Sequence, residues 1–196
     1  MTANPPAPRF APAAVDLVRR QDGSVLLRSP QALGEYDEKV DIWLEHWAAE
    51  AGERVFLAER GAGGTTGWRE LTYAAAQRAV DSLADLLLEL GLGPERPLAL
   101  LSENSLDHAL LTFAALRVGI PVAPLSPAYS LLAMDRSRLR SMLDLVEPGA
   151  VHVDNGQLYA GALEDAVSPD AVRLWSAVPP GGKARAVGLG FQGRDR

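Results

Sequence analysis

Two short strings in the chain have the residue types that bind phosphate in other proteins. GTTG at residues 64–67 places glycines around two threonines, the composition of loops whose backbone N–H groups wrap a phosphate. GLGFQG at residues 188–193 fits the G-x-G-x-x-G pattern of dinucleotide-binding turns. Lys39 and Lys183 are the only two lysines, so phosphate chemistry that needs a lysine depends on one of them.

The context of both strings argues against a nucleotide site. GTTG separates two short strand-like runs, RVFLAE and WRELTY, so it is predicted to turn a hairpin, whereas phosphate-binding loops usually lead into a helix. Only three residues follow GLGFQG, so the helix and the later acidic residue of a dinucleotide site are missing. We interpret GTTG as a solvent-exposed turn and GLGFQG as an accidental match.

The side chains that could ligate a metal do not form a recognisable set. The chain has no cysteine, which excludes thiol catalysis and cysteine-ligated zinc. His46, His108 and His152 belong to separate predicted elements without metal-ligand spacing. This distribution favours solvated or hydrogen-bonded structural roles for the three histidines, and no metal site is predicted.

A group of hydroxyl side chains follows one predicted strand. Ser126, Tyr129 and Ser130 come after IPVAPL, at the carboxyl end where open α/β sheets bind ligands. Serine and proline also build turns and cap helices, so a proline-framed turn with a helix cap is the alternative interpretation. The sequence favours the turn.

The composition is that of a soluble globular protein. Hydrophobic residues make up 47% of the 196 residues and charged residues 22%. The net charge of −6 argues against a nucleic-acid partner, and no apolar run is long enough to cross a membrane. The absence of cysteine fits a reducing compartment, so a cytoplasmic location is expected.

The order of the predicted elements indicates an α/β fold. Thr72 is predicted to cap a helix whose apolar face recurs at helical spacing, at Ala76, Val80, Leu83, Leu87 and Leu90, and which ends at Gly91. Three apolar strands then alternate with two helices, the first capped by Ser105; the strands are LALLSE, IPVAPLSP and GAVHVD. This alternation predicts part of a doubly wound parallel sheet with helices on both faces, preceded by the N-terminal hairpin.

Upstream of the hairpin, the sequence predicts a turn and short strand in DGSVLLRSP and then a helix in VDIWLEHWAAEAG. Val40, Trp43, Leu44 and Trp47 share one face of that helix. Trp43, Trp47 and Trp68 are interpreted as core or interface aromatics.

Three segments are predicted along the chain. Residues 1–14 are rich in proline and alanine and are predicted to be a disordered lead. Residues 15–174 are predicted to form one incomplete subdomain. Residues 175–196 are rich in glycine, proline and arginine without a periodic apolar face, and are predicted to be a disordered tail.

The region from residue 23 to residue 174 resembles the opening part of the adenylate-forming acyl-CoA synthetases. The resemblance lies in LTYAAA, in LLSENSLDHALLTFAALRVGIPVAPLSP and in LVEPGAVHVDNG, which occur in the family's order and spacing. Within that superfamily, DGSVLLRSP, LAER and SPAYSLL look most like feruloyl-CoA synthetases. The string MDRSRLRSML is more polar than this resemblance implies.

The resemblance implies a reaction and also shows which parts of its machinery this sequence lacks. Enzymes of the family use ATP and magnesium to adenylate a carboxylic acid and then transfer the acyl group to coenzyme A. Their phosphate loop, adenine-contacting motif, ribose-binding aspartate and late catalytic lysine lie further along than the region matched here. Lys183 in PPGGKAR looks faintly like the segment of that lysine, but its surroundings favour a charged residue in a mobile tail.

Two interpretations of function therefore stay open. The first is a truncated or frame-shifted feruloyl-CoA synthetase-like ligase, in which this chain supplies no catalytic, cofactor-binding or metal-binding residue. The second is a non-catalytic binding or interaction module derived from the same fold. A nucleotide-binding oxidoreductase is disfavoured, because no strand–glycine loop–helix unit lies within the predicted fold. Self-association through an unpaired sheet edge is expected, and a clean monomer would favour the binding module.

Overall fold

The structure is a computed structural model that describes residues 14–60, 67–133, 135–181 and 186–189. The chain forms two compact units, Met1–Glu38 and Lys39–Arg196. In the described part of the chain, no helix is both long and apolar enough to cross a membrane.

The first unit contains one antiparallel hairpin. Strand β1 (Asp16–Arg19) pairs with β2 (Val25–Arg28), and Gly23 occupies the turn at φ 83°, a conformation that favours glycine. Asp22 fixes the turn by accepting hydrogen bonds from the hydroxyl and the backbone N–H of Ser24, and these bonds lower the pKa of Asp22. The turn and β2 were predicted; β1 was not.

The second unit begins with a helix and a second hairpin. Helix α1 (Asp41–Glu50) precedes strands β3 (Val55–Arg60) and β4 (Trp68–Thr72), which pair antiparallel as predicted. Arg60 and Trp68 are register partners at the end of the hairpin, with the guanidinium 5.1 Å from the indole centroid. Residues 61–66, which include the first three residues of the predicted GTTG turn, lie outside the described residues.

The remaining elements follow directly. Helix α2 is Tyr73–Glu89, β5 is Leu98–Leu100, α3 is Leu106–Arg117, β6 is Val122–Pro124, α4 is Pro127–Leu131, α5 is Ser137–Val146, β7 is Ala150–Asn155, α6 is Ala160–Asp165, β8 is Val172–Val178 and β9 is Ala186–Gly188. The parallel sheet has the order β6-β5-β7-β8-β9. The predicted α/β fold is confirmed.

The helix starts follow from side-chain caps. Thr72 Oγ1 accepts a hydrogen bond from Ala75 N at 3.3 Å at the start of α2. Ser105 Oγ accepts one from His108 N at 3.0 Å at the start of α3. All five residues predicted for the apolar face of α2 are buried.

Two apolar cores cover the two faces of the sheet. One packs α2 and α3 against alternate residues of the strands, such as Leu98, Leu100 and Leu174. The other packs α5 and α6 against the remaining strand residues, such as Ala99, Val151 and Val153. Because strand side chains alternate between faces, this division follows from the pleat of β5 and β7.

The boundary predicted after Leu174 is wrong, because it falls inside β8. Residues 175–178 continue that strand, and β9 pairs with β8 in parallel, with Leu174 opposite Val187. Leu189 follows β9 and is buried in the core beside α2 and α3. The pairing of β9 with β8 and the burial of Leu189 therefore give regular structure to part of a segment whose composition predicts disorder. Residues 182–185 and 190–196 of the predicted tail, and residues 1–13 of the predicted lead, lie outside the described residues.

Candidate functional site

The sheet has an open cleft of about 510 Å³ at its carboxyl end. Its polar lining comes from the segment after β5 (Ser102, Glu103 and Asn104), from His108 on α3, and from Ser126 after β6. The prolines at 124 and 127 and the leucine at 125 line the rest. Adjacent parallel strands that send their connections to opposite faces open such a crevice at their carboxyl ends.

A second cavity of about 510 Å³ lies at the opposite end of the strands, around Arg96 and Gly149. We assign the candidate site to the carboxyl end for two reasons. Open α/β sheets bind ligands there, and that cleft borders the polar network described next through both Ser102 and His108.

Ser102 lies between two histidines. Its Oγ is 3.1 Å from His108 Nδ1 and 3.2 Å from His152 Nδ1. The three residues come from different parts of the chain: Ser102 follows β5, His108 lies on α3 and His152 lies in β7. On its other side, His152 Nε2 lies 2.9 Å from Ser176 Oγ in β8. The side chain of Ser176 also favours the ionised form of Asp107 and so acts against the rise in its pKa. We call these five residues the polar network.

Burial sets the protonation of the network. His152 is fully buried, and this desolvation, helped by the nearby His108, lowers the pKa of His152 to about 3. Burial also raises the pKa of Asp107, against the opposing effects of the Ser176 hydrogen bond and the charge of Arg69, while Glu59 adds to the rise. His152 is therefore neutral at physiological pH.

Two backbone N–H groups at the N-terminus of α3 donate to side chains of the protein itself. Glu59 of β3 accepts a hydrogen bond from Leu106 N at 2.7 Å, and Ser105 accepts one from His108 N. Arg69 in β4 pairs with Glu59 at 2.5 Å and holds that carboxylate in place. Among the described side chains that line the cleft there is no lysine or arginine. The described lining of the cleft therefore offers hydrogen-bonding groups and one carboxylate.

The three hydroxyl-bearing residues that follow β6 have different surroundings in the structure. Ser126 lies at the start of α4 but makes no side-chain cap bond, and it lines the cleft instead. Tyr129 packs against the core beside α5 and α6. Ser130 is buried, and its Oγ has no hydrogen-bond partner among the described residues.

Other predicted residues lie away from the cleft. His46 is exposed on α1, with its ring 5.1 Å from that of Trp47 in an edge-on contact. Lys39 is exposed before α1, and Lys183 lies outside the described residues. In the described ranges no three histidine, aspartate or glutamate side chains are grouped to hold a metal ion.

The tryptophans are not core residues, so that part of their interpretation is wrong. Trp43, Trp47 and Trp68 are 56%, 43% and 53% exposed. The buried residue of the predicted α1 face is Leu44, which packs in the core with residues of α2 and α3. Trp43 and Trp47 instead line an apolar pocket of about 240 Å³ with Phe56, Tyr73 and Phe113.

A family model described as "AMP-binding enzyme" matches residues 44–180, more than half of the chain. The chain belongs to the AMP-binding enzyme family. The resemblance to the adenylate-forming synthetases is confirmed at this level, and the narrower likeness to feruloyl-CoA synthetases stays a prediction.

Known members and neighbours of the AMP-binding family are much longer than this chain. Phosphinothricin tripeptide synthetase PhsC from Streptomyces viridochromogenes is 39% identical over 61 residues, which cover 31% of this chain and 6% of the synthetase. The chain thus spans a small part of that relative.

Three solved structures have a similar fold. IdnL1 matches with a TM-score of 0.54 and 18% identity, over 77% of this chain and 27% of its own. VinN, solved in complex with 3-methylaspartate, matches with a TM-score of 0.57 and 19% identity, over 71% and 35%. A fatty acid AMP ligase from Legionella pneumophila matches with a TM-score of 0.50 and 14% identity, over 59% and 19%. At these identities the likeness shows the fold.

In this member of the AMP-binding family, sequence reasoning missed three of the five network residues: Ser102, Asp107 and Ser176. It expected hydrogen-bonded roles for His108 and His152, and both are hydrogen-bonded, but it did not bring them together. One available indication was His152 itself, a polar residue inside the otherwise apolar strand AVHV. A buried histidine needs partners, and neighbouring strands are where they are found.

Proposed function

We propose that this chain forms the N-terminal part of the adenylating domain of an acid–CoA ligase of the feruloyl-CoA synthetase type. The match of the AMP-binding family over residues 44–180 supports the general reaction, adenylation of a carboxylic acid with ATP and magnesium. The strings LLSENSLDHALLTFAALRVGIPVAPLSP and SPAYSLL support the narrower assignment to an aromatic acid and coenzyme A. A cytoplasmic location and the lack of a nucleic-acid partner belong to the same proposal.

The chain on its own is proposed to lack ligase activity. Its sequence contains no Thr-Gly phosphate loop finished by Pro-Lys-Gly, and its cleft is lined by Glu103 rather than by cations. Positioned cations and backbone donors supply much of the stabilisation in phosphoryl and adenylyl transfer, so their loss removes the catalysis.

The direct assay incubates the purified chain with ferulate, ATP, magnesium and coenzyme A, beside a full-length feruloyl-CoA synthetase as the positive control. No feruloyl-CoA is expected from the chain. Product that disappears when His108 or Ser102 is replaced by alanine would overturn the proposed inactivity.

A transplant tests the assignment to this ligase type. Residues 39–181 replace the corresponding segment of a full-length feruloyl-CoA synthetase, and a matched chimera carries the corresponding segment of VinN. VinN shares the fold at 19% identity, so its segment controls for the fold alone. We expect ligase activity from the first chimera and a much lower activity from the second. Equal activities, or two folded but inactive chimeras, would contradict the feruloyl-CoA assignment.

The second candidate function is a binding module without catalysis. One observation favours it: residues between Ser102 and Ser176 line an open cleft and form the polar network beside it. A small molecule bound by the isolated chain in the absence of ATP would support this candidate.

A further inference from the structure

The polar network connects the cleft to a buried carboxylate. Three hydrogen-bond contacts link His108 Nδ1 to Ser102 Oγ, Ser102 Oγ to His152 Nδ1 and His152 Nε2 to Ser176 Oγ, and Ser176 in turn favours the charge of Asp107. A serine hydroxyl has one proton to donate, and a neutral imidazole has one N–H and one bare nitrogen. The direction of the bond at one end therefore fixes the direction of every other bond.

An ionised Asp107 sets one direction, because a carboxylate can only accept. Ser176 must then donate to Asp107 and accept from His152 Nε2–H. Neutral His152 has its bare nitrogen at Nδ1, so Ser102 donates to it. Ser102 has no second proton and accepts from His108 Nδ1–H, which leaves Nε2 of His108 unprotonated.

A protonated Asp107 allows the opposite direction. Its O–H donates to Ser176, which donates to His152 Nε2, and His152 Nδ1–H donates to Ser102, which donates to His108 Nδ1. His108 then bears its proton on Nε2. The two states differ by one proton: when His108 Nε2 gains one, each group passes its own proton along and the Asp107 carboxylate becomes a carboxyl.

We propose that His108 is a proton acceptor for a small molecule bound in the cleft, and that Ser102, His152 and Ser176 relay the proton to Asp107. The ligand carries a hydroxyl or ammonium group as the proton donor, and Glu103, Asn104 and Ser126 offer it further polar contacts. This arrangement does not depend on the family's adenylation reaction.

The surroundings of Asp107 support two accessible protonation states. Burial disfavours its charge, while the Ser176 hydrogen bond and the charge of Arg69 favour it, and Glu59 opposes it from β3. Its Oδ1 is buried and has no hydrogen-bond partner in the part of the chain that the structure describes. A carboxylate that is less than fully stabilised can take up a proton at the end of a relay.

The tautomers of the two histidines test the relay in the unmodified chain. Nitrogen-15 NMR of the full chain at neutral pH distinguishes protonated from bare ring nitrogens. We expect His108 to be protonated on Nδ1 and His152 on Nε2, with both tautomers reversing together as Asp107 is protonated at lower pH. His108 protonated on Nε2 at neutral pH, or tautomers that change independently, would overturn the proposal.

Acylation by diethyl pyrocarbonate measures the bare nitrogen of His108. That nitrogen attacks the reagent's carbonyl carbon, ethyl carbonate leaves, and mass spectrometry of peptides gives the rate at each histidine. We expect Ser176→Ala and Asp107→Asn to slow the reaction of His108 several-fold and leave exposed His46 unchanged. Ser82→Ala, which removes an exposed serine of α2, is the matched control. A His108 rate that is unchanged in folded Ser176→Ala would refute the relay; if that variant fails to fold, the tautomers of the unmodified chain decide.

Discussion

His152 Nε2 lies 2.9 Å from Ser176 Oγ, a contact that joins the neighbouring parallel strands β7 and β8 beneath α3. His152 is at the centre of the sheet, where water does not reach it, and both of its ring nitrogens are occupied by serine hydroxyls. Because the folded chain keeps His152 neutral, it should lose stability at acidic pH, and this loss can be measured.

The free energy of unfolding is expected to decrease as the pH is lowered, because of His152. Burial lowers the pKa of His152 from 6.5 to about 3, so below about pH 6.5 the unfolded chain binds a proton that the folded chain does not. The free energy of unfolding should decrease by about 1.4 kcal/mol per pH unit in that window, roughly 2 kcal/mol by about pH 5. Urea unfolding across the window measures the slope.

Two histidine variants complete that experiment. His152→Gln should be less stable overall but should lose the steep dependence on pH, whereas His46→Gln, at an exposed position, should keep it. A slope shared by the unmodified chain and His152→Gln would assign the pH dependence to other groups.

Leu189 is expected to stabilise the fold, because it is a buried residue of the segment after β9. Leu189→Ala removes buried apolar contacts and should lower the free energy of unfolding by about 2–4 kcal/mol. Leu145→Ala, at a position that is 86% exposed on α5, should change it by less than about 0.5 kcal/mol. Two variants of equal stability would mean that the burial of Leu189 contributes nothing to the fold.

Arg117 joins α3 to both preceding helices, and its loss is expected to destabilise the second unit. Its guanidinium lies 2.5 Å from Glu45 and 3.6 Å from Asp41 on α1, and 2.9 Å from Asp81 on α2. Arg117→Met leaves the buried Asp41 without this charge and should lower the free energy of unfolding by about 2 kcal/mol, less than for a fully buried pair.

The controls for Arg117 use a surface pair and a double variant. Arg28→Met breaks the exposed Arg28–Asp16 pair and should cost less than about 0.5 kcal/mol. Adding Asp41→Asn to Arg117→Met should restore part of the lost stability, since the unpaired charge is gone. No recovery would show that Arg117 stabilises through packing of its aliphatic stem instead.

Self-association through the edge strand β6 stays a prediction, and the structure narrows how it would occur. The bonds from Leu98 N to Pro121 O and from Leu125 N to Leu100 O face β5, so the outward backbone groups belong to Val122 and Pro124. Proline has no N–H, so Val122 offers the one outward donor of this strand.

Light scattering over a concentration series should detect this association. Val122→Pro removes the outward donor and should reduce it, whereas Leu145→Gln on α5 should not. A monomer at every concentration, without binding of a hydrophobic dye, would contradict the expectation and favour a self-sufficient module.

The sequence predicted those parts of the fold that local chemistry determines. The cap at Thr72, the apolar face of α2 and the parallel strands β5, β6 and β7 each depend on residues within one element or its neighbour. The end of β8 could not be predicted, because residues 176–181 are serine, alanine, one valine, two prolines and a glycine. The last pairing of the strand, Val178 with Asn155, is made with β7 after a shift of register.

The candidate site shows the same limit more strongly. Ser126 was placed correctly at the carboxyl end of a strand by a topological rule. The polar network was not, because Ser102 and His152 are 50 positions apart and meet only through the pairing of β5 with β7. The register depends on two strands together, so it cannot be read from one of them. The polar residue His152 in AVHV indicates that hydrogen-bond partners exist but does not identify them.

The junction between β4 and α2 has no connecting residue, since Thr72 ends the strand and caps the helix. Each residue of an α-helix advances the direction of its side chains by about 100°. One inserted residue after Thr72 would therefore turn the whole apolar face of α2 away from the sheet unless the hairpin moved with it. Length variation among homologous chains and any engineered insertion should consequently avoid this junction.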